Sequence, residues 1–278
     1  MVINLGYAYQ MKTKNSKSLG LGLLCLALGM GATGNAAAQQ LQAHIALYKV
    51  ELADARGATS LADASGLIGF EWQASCEAYS TSQRFYTRFT TTEGLSSSSD
   101  IQFSAEEATD GSSFAFDITD SVNGRVSEHT VGQVGNGVIT FTSPDPARGS
   151  LPADTLFPTQ QSAQLIAAAL AGQTHMETRV FDGGDEDEVY DTVATIYASP
   201  RDYLPHPESE GAVGLVSLQS WYVTMSYYDI GGRGTLPNYE ISYRLFSNGI
   251  VDEIRMDYGD YAFSARMMQL DLFDQPDC

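Results

Sequence analysis

Positive charge is scarce in this chain, which has 15 lysine and arginine residues against 34 aspartates and glutamates. Lys49 is the only lysine beyond residue 38. Phosphate backbones and anionic lipid surfaces both attract proteins through clustered positive charge. The composition therefore argues against a nucleic-acid-binding protein and against electrostatic docking to a membrane surface.

The sequence also lacks the local motifs of common enzymes. It has no Gly-x-Ser-x-Gly, Ser-x-x-Lys or His-Glu-x-x-His pattern, and no glycine-rich phosphate loop opens a helix. Its histidines, which are His44, His129, His175 and His206, stand in ordinary strand or loop contexts. A non-enzymatic protein without cofactor or metal is the preferred interpretation. A hydrolase is the less favoured alternative, because catalytic residues can come together from positions that are distant in sequence.

Long apolar runs are missing apart from one at residues 19–30, which three lysines precede and Ala36-Ala37-Ala38 follows. This order predicts a secretory signal peptide over residues 1–38, with Met11 as an alternative start. The run is shorter than the about 20 residues of a membrane-spanning helix, so we expect no integral span. Export to the periplasm would change the formal charge from −19 to −22, because three lysines leave without any acid.

Cysteine is rare as well, with three residues in the chain, of which Cys25 lies inside the predicted signal peptide. Cys76 and Cys278 are left, and two cysteines exported to an oxidising compartment have one pairing available. We therefore predict a Cys76–Cys278 disulfide. No Cys-x-x-Cys pair is present, so a structural role is preferred over a redox-active one.

Alternation of apolar and polar residues dominates the mature chain, and this pattern is typical of β-strands with one buried face. It predicts roughly a dozen strands, one of which spans residues 215–228, while residues 96–99 are interpreted as a loop. Three Asn-Gly pairs predict type I′ hairpin turns between antiparallel neighbours, at Asn123-Gly124, Asn136-Gly137 and Asn248-Gly249.

One segment, residues 159–171, has helical spacing instead, with Thr159 as its predicted N-cap and Gly172 as its end. No linker divides residues 39–278, which are predicted to form a single domain. Because an open sheet of a dozen strands would curl or split, we expect a mainly β fold, closed or nearly closed as an antiparallel barrel. The helix would plug its interior, and phenylalanine, tyrosine and leucine would line any groove that is left.

Residues 182–188 form an acidic run, Asp-Gly-Gly-Asp-Glu-Asp-Glu, whose carboxylates could bind Ca²⁺. The run does not match an EF-hand loop, so a solvated hairpin tip is the preferred interpretation.

Aromatic residues cluster on one strand region as candidates for either a ligand groove or the core: Trp221, Tyr222, Tyr227 and Tyr228. Trp72 is interpreted as a packing residue beside the disulfide.

A set of segments gives the chain a resemblance to the EipB-type cell-envelope integrity proteins, which are periplasmic proteins of alphaproteobacteria formerly classed as a domain of unknown function. The segments are Gly69-Phe70-Glu71-Trp72-Gln73-Ala74-Ser75-Cys76, Leu156-Phe157-Pro158-Thr159, Phe181-Asp182-Gly183-Gly184-Asp185, Ser220-Trp221-Tyr222, Tyr227-Tyr228, Leu245-Phe246-Ser247-Asn248-Gly249-Ile250-Val251, Asp257-Tyr258-Gly259-Asp260-Tyr261 and Cys278.

The resemblance implies a monomeric, spiral-like, broken β-barrel around a central helix, with a Cys76–Cys278 disulfide. It further implies a role in envelope integrity, association with a periplasmic tetratricopeptide-repeat protein, and an architecture like that of bacterial lipoprotein carriers. The chain departs from the family pattern in the 201–211 loop and in its acidic run at 182–188.

Two functional hypotheses follow. In the first, the protein supports envelope integrity by binding another envelope protein through its barrel or through an exposed sheet edge. In the second, it carries a lipid, an acyl chain or a lipoprotein inside the barrel.

Overall fold

The computed structural model describes residues 41–56, 59–183, 189–200, 203–230, 236–274 and 276–278. The predicted signal peptide lies outside these residues. In the part of the chain that is described, no helix is both long enough and apolar enough to cross a membrane.

The fold is mainly β, as the alternation predicts. The strands are β1 (His44–Ala55), β2 (Leu61–Ala74), β3 (Ala78–Thr91), β4 (Ser96–Ala108), β5 (Ser113–Val122), β6 (Arg125–Gly135), β7 (Val138–Ser143), β8 (Ala147–Ser150), β9 (Thr155–Leu156), β10 (His175–Phe181), β11 (Val189–Ala198), β12 (Ser220–Asp229), β13 (Tyr239–Phe246), β14 (Val251–Asp257) and β15 (Tyr261–Leu272). One α-helix, α1 (Pro158–Leu170), lies between β9 and β10, and a 3-10 helix (Ala212–Ser217) precedes β12.

All these strands form one sheet in which consecutive strands pair with each other, except β8 and β9. The first and last strands pair with each other, because β1 lies antiparallel to β15 along nearly its whole length. The sheet is instead open between β8 and β9, which are its two edges and are joined directly by residues 151–154. The result is a broken, spiral-like barrel, as the resemblance implies.

Helix α1 lies inside the curved sheet. Its residue Gln161 donates hydrogen bonds from Nε2 to Thr178 on β10 (2.9 Å) and to Thr192 on β11 (3.0 Å). At the helix start, Thr159 accepts a bond from Nε1 of Trp72 on β2 at 3.4 Å. Since β2 and β11 stand far apart in the strand order, one helix can contact both only if the sheet wraps around it.

The predicted N-cap is wrong, because Phe157 takes the N-cap position and Thr159 lies in the first turn. The backbone amides of the first helical turn, which have no partner within the helix, bond to a residue that is distant in sequence. The Glu107 carboxylate on β4 accepts the backbone N–H groups of Thr159 (2.9 Å) and Gln160 (3.1 Å). A negative group at this place also interacts favourably with the positive end of the helix dipole.

Two of the three Asn-Gly predictions are confirmed. Asn123 and Asn136 have φ angles of 52° and 51°, and the glycine after each also has a positive φ angle, as a type I′ turn requires. At the third site only Gly249 has a positive φ, 86°. Its N–H bonds to Phe246 O, and Phe246 N–H bonds to Ile250 O, which makes a three-residue hairpin loop instead.

Two segments have a secondary structure other than the predicted one. Residues 96–99 are not a loop but the beginning of β4, and residues 215–217 belong to the 3-10 helix, so that β12 begins only at Ser220. The edge strands β8 and β9 were not predicted at all.

Candidate functional site

The Cys76–Cys278 disulfide is present, with Cα atoms 5.6 Å apart. It ties the C-terminal residue to the turn between β2 and β3. Close by, Trp72 is buried and stacks on Tyr79 with ring centroids 5.3 Å apart. Trp72 is thus a buried packing residue on the strand that leads to Cys76, and its Nε1 also contacts Thr159 at the start of α1.

A small cavity lies where α1 begins, and we call it the plugged-end cavity. Its walls include His44, Phe70, Trp72, Glu107 and Thr159, and its volume of about 30 Å³ has room for about one water molecule. Such a space is too small for an acyl chain. The α1 end of the barrel is therefore filled, as the predicted plugging helix requires.

Two titratable groups in this cavity have strongly shifted pKa values in opposite directions. Burial raises the pKa of Glu107 to about 7, although the amides of Thr159 and Gln160 act against the shift. Burial lowers the pKa of His44 to about 4, partly offset by the contact with the carbonyl of Gln42. The ring nitrogen Nδ1 of His44 lies 2.6 Å from that carbonyl, whereas its Nε2 is buried without a hydrogen-bond partner.

At the opposite end of the same strands the barrel interior is not filled. A cavity of about 420 Å³ opens there, which we call the open-end cavity. Its apolar wall consists of Leu61, Phe85, Phe89, Ile101, Val122, Tyr261 and Phe263. The rings of Phe85 and Phe89 lie 6.5 Å and 6.1 Å from that of Phe263, so one aromatic cluster forms the floor. Volume and lining are typical of a small-molecule site.

Hydroxyl groups and one inward carboxylate form the rest of this wall. The hydroxyl residues include Thr87, Thr91, Ser97 and Ser99. Asp120 on β5 stands opposite Ile101 in the strand register and also faces the cavity. Its Oδ1 is buried without a hydrogen-bond partner. Burial raises the pKa of Asp120, an effect that the N–H of Ser121 opposes and the nearby charge of Asp100 reinforces.

The four aromatic residues of β12 do not form one groove. Trp221 and Tyr227 point inward and are buried, and Tyr227 stacks on Tyr239 with centroids 4.3 Å apart. Tyr222 and Tyr228 occupy the alternate positions on the outer face, where Tyr222 is 38% exposed. The structure thus places the first two in the core and separates them from the other two.

On the outer face, Tyr222 belongs to a polar network around the buried side chain of Arg244. The guanidinium of Arg244 lies 4.5 Å from the Tyr222 ring centroid and 5.2 Å from that of Tyr203. Arg244 also donates to Glu253 at 3.1 Å, and the Tyr203 hydroxyl donates to Asp252 at 2.6 Å. Burial, followed by the charge of Asp252, raises the pKa of Tyr203. Through these contacts Tyr203, in the segment before β12, binds to Arg244 on β13 and to Asp252 on β14.

The acidic run is described only at Asp182 and Gly183, and residues 184–188 lie outside the described residues. Asp182 is 2% exposed, so the prediction of a solvated tip is wrong at this residue. Its charge helps to raise the pKa of the buried Tyr227 and Tyr239, after burial itself. In the described residues, no group of three or more histidine, cysteine, aspartate or glutamate side chains could hold a metal ion.

The histidines contact carboxylates or backbone atoms. His129 lies 3.1 Å from Asp117 and His175 lies 3.2 Å from Glu177, both at exposed positions. Nδ1 of His206 accepts the N–H of Glu208 at 3.3 Å. These contacts orient the imidazoles toward acids and loops, and none of the three pairs a histidine with a hydroxyl nucleophile.

The open-end cavity was not predicted, although the sequence contains a signal for it. Ser97, Ser99, Thr87 and Thr91 all occupy inward positions on β3 and β4, at the strand ends away from α1. A filled core would place bulky apolar side chains there. Small hydroxyl residues at inward strand positions are therefore a sequence feature that indicates a cavity.

Comparison with known proteins gives consistent results. The model of the EipB-like family matches residues 35–274. The chain is 30% identical over 250 residues to the cell envelope integrity protein EipB of Brucella abortus (strain 2308), covering 87% of this chain and 88% of that protein. Its fold is similar to the crystal structure of a β-barrel-like protein of a domain of unknown function from Brucella abortus. That comparison has a TM-score of 0.78 and 29% identity, and it covers 84% of this chain and 99% of the other. Because the family model matches most of the chain, this protein belongs to the EipB-like family.

Proposed function

We propose that this protein works in the periplasm, without catalysis, and supports cell-envelope integrity by binding an amphipathic envelope component in its open-end cavity. The observation that carries the proposal is the cavity of about 420 Å³ with an aromatic floor and a rim of hydroxyl groups. The similar protein of Brucella abortus is named for cell envelope integrity, which supports the same general role here.

Among the occupants that the sequence left open, the cavity favours an acyl chain of a lipid or lipoprotein over a folded protein. A folded domain cannot enter such a volume, whereas a single flexible chain can lie along the floor formed by Phe85, Phe89 and Phe263. Burial of each methylene group contributes about 0.8 kcal/mol, so a short chain is enough for useful affinity.

A protein partner, such as the tetratricopeptide-repeat protein that the resemblance implies, is the second candidate. The edges β8 and β9 are short, and short edges resist strand addition. One longer stretch, on β6, does favour strand addition. β6 spans Arg125–Gly135, but β7 pairs with β6 only at residues 131–135. Residues 125–130 therefore have a strand neighbour on the β5 side alone, and an extended segment could align on the other side.

Native mass spectrometry of the protein purified from its own periplasm tests the proposal. We expect a lipid or acylated peptide to copurify with the wild type and to be lost in Ser99→Trp, because Ser99 faces into the cavity and an indole would fill it. Ser98→Trp is the matched control, since the neighbouring residue points to the other face of β4.

Ser99→Phe, a smaller block, covers the case in which the tryptophan variant does not fold. A wild type that carries no ligand but captures a repeat protein through residues 125–130 of β6 would contradict the cavity proposal in favour of the protein-binding one. Retention of the ligand in both cavity variants would contradict it as well.

A further inference from the structure

The charged side chains in the wall of the open-end cavity are acidic. Its lining contains the carboxylates of Asp120 and Glu128, which are opposite each other in the register of β5 and β6. No lysine, arginine or histidine lines this cavity within the described part of the chain. An anionic headgroup in this cavity would therefore lie close to negatively charged side chains, which disfavours its binding.

The position of Asp120 suggests which charge the cavity accepts. Its Oδ1 is buried and has no hydrogen-bond partner, and it lies on the same inward face as the apolar wall. An unpartnered carboxylate oxygen costs free energy, because it has lost water without gaining a donor. Asp120 lines the cavity, and an ammonium group that reaches this carboxylate from the cavity would gain a charge-assisted hydrogen bond, which is stronger than a neutral one.

We propose that the cavity selects amphiphiles that carry a protonated amine, with the apolar chain on the floor of Phe85, Phe89 and Phe263 and the ammonium group at Asp120. This inference rests on the proposed function, since it names the chemical class of the cavity's ligand. It excludes fatty acids and other amphiphiles whose headgroup carries only negative charge.

The net charge of the whole protein is −19, so it attracts any cation weakly at its surface. A test must separate that general attraction from a contact inside the cavity. Asp117 offers the matched control, because it lies three residues before Asp120 on β5, but on the outer face of the sheet. Asp117→Asn and Asp120→Asn remove the same charge from the same strand, and only the second removes it from the cavity.

Titration calorimetry with decylammonium, decanol and decanoate below their aggregation limits measures the selectivity. We expect the wild type to bind decylammonium most tightly and decanoate at least about tenfold more weakly, the effect of one charge-assisted hydrogen bond. Asp120→Asn should reduce this preference by about tenfold, whereas Asp117→Asn should leave it within about twofold of the wild type. Ser99→Trp should abolish binding of all three.

The possible results distinguish failure of amphiphile binding in the cavity from failure of the selectivity for an amine. If the wild type binds none of the three probes, the cavity is not an amphiphile site and the proposed function fails together with the inference. If it binds all three with similar affinity, or if Asp117→Asn reduces the preference as much as Asp120→Asn, the cavity still accepts an apolar chain but the amine selectivity is overturned.

Discussion

Loss of the disulfide, through Cys278→Ser or Cys76→Ser, is expected to lower the free energy of unfolding by about 5 kcal/mol. The bond links residues 202 apart in sequence, so its removal frees a very long loop in the unfolded chain, and the loop-entropy model gives about this value. Few other single changes in a domain of this kind should have a larger effect. Urea unfolding of the oxidised wild type and of each variant measures the difference.

The local structure adds a second consequence. The backbone of the last strand is held as far as Phe273, whose N–H bonds to Ala43 O at 2.8 Å. Beyond this point the disulfide is the covalent attachment of the C-terminal residues to the turn between β2 and β3. We expect the segment after Phe273 to become sensitive to protease in the variants while the strands stay protected.

Two controls make this prediction strict. The double variant Cys76→Ser/Cys278→Ser should be as stable as either single variant, because each single change already removes the whole bond. The wild type under reducing conditions should unfold at the same denaturant concentration as the variants. Equal stability of oxidised and reduced wild type would show that the bond does not stabilise the fold.

Periodicity was enough to predict the class of fold, because most strands bury alternate residues on one side. Tyr239, Ile241, Tyr243 and Leu245 are all buried along β13, and this regular pattern is visible in the sequence. The missed strands carry no such pattern. β8 has the sequence Ala-Arg-Gly-Ser and β9 has two residues, and both exist only because they pair with β7 and β10.

The functional features depend on contacts across the closed sheet, which explains why sequence reasoning missed them. Thr159 resembled an N-cap, but the group that satisfies the helix amides is Glu107, which the curvature of the sheet brings under α1. The open-end cavity likewise exists because β3, β4, β5 and β15 meet around a volume that α1 does not reach. No local sequence pattern indicates the contact of Glu107 with the helix amides, and only the inward serine and threonine residues indicate the cavity.

The pair His44 and Glu107 leads to the second large effect, a change in how stability depends on pH. The pKa of Glu107 is about 7 in the folded protein against 4.5 for the free group, so this residue stabilises the fold below pH 4.5 and loses that contribution as pH rises to 7. The pKa of His44 is about 4 against 6.5, so its contribution is present above pH 6.5 and is lost as pH falls to 4. Each effect amounts to about 3 kcal/mol over its full range.

Because the two windows overlap and the signs are opposite, the effects cancel in the wild type between about pH 4.5 and pH 6.5. Each single variant should expose the effect of the other residue. We expect His44→Gln to become more stable relative to the wild type as pH falls through this window, by about 1.4 kcal/mol per pH unit. Glu107→Gln should become less stable relative to the wild type at the same rate.

Urea unfolding at several pH values across this window measures both slopes, and comparison with the wild type removes the contribution of the many surface acids. The double variant His44→Gln/Glu107→Gln is the control, because it lacks both groups and should regain the wild-type slope. If both single variants follow the wild-type slope, then neither side chain titrates abnormally and the plugged-end cavity admits more water than its volume of about 30 Å³ implies. Slopes of opposite sign would instead establish that one buried acid and one buried base beneath α1 balance each other's dependence on pH.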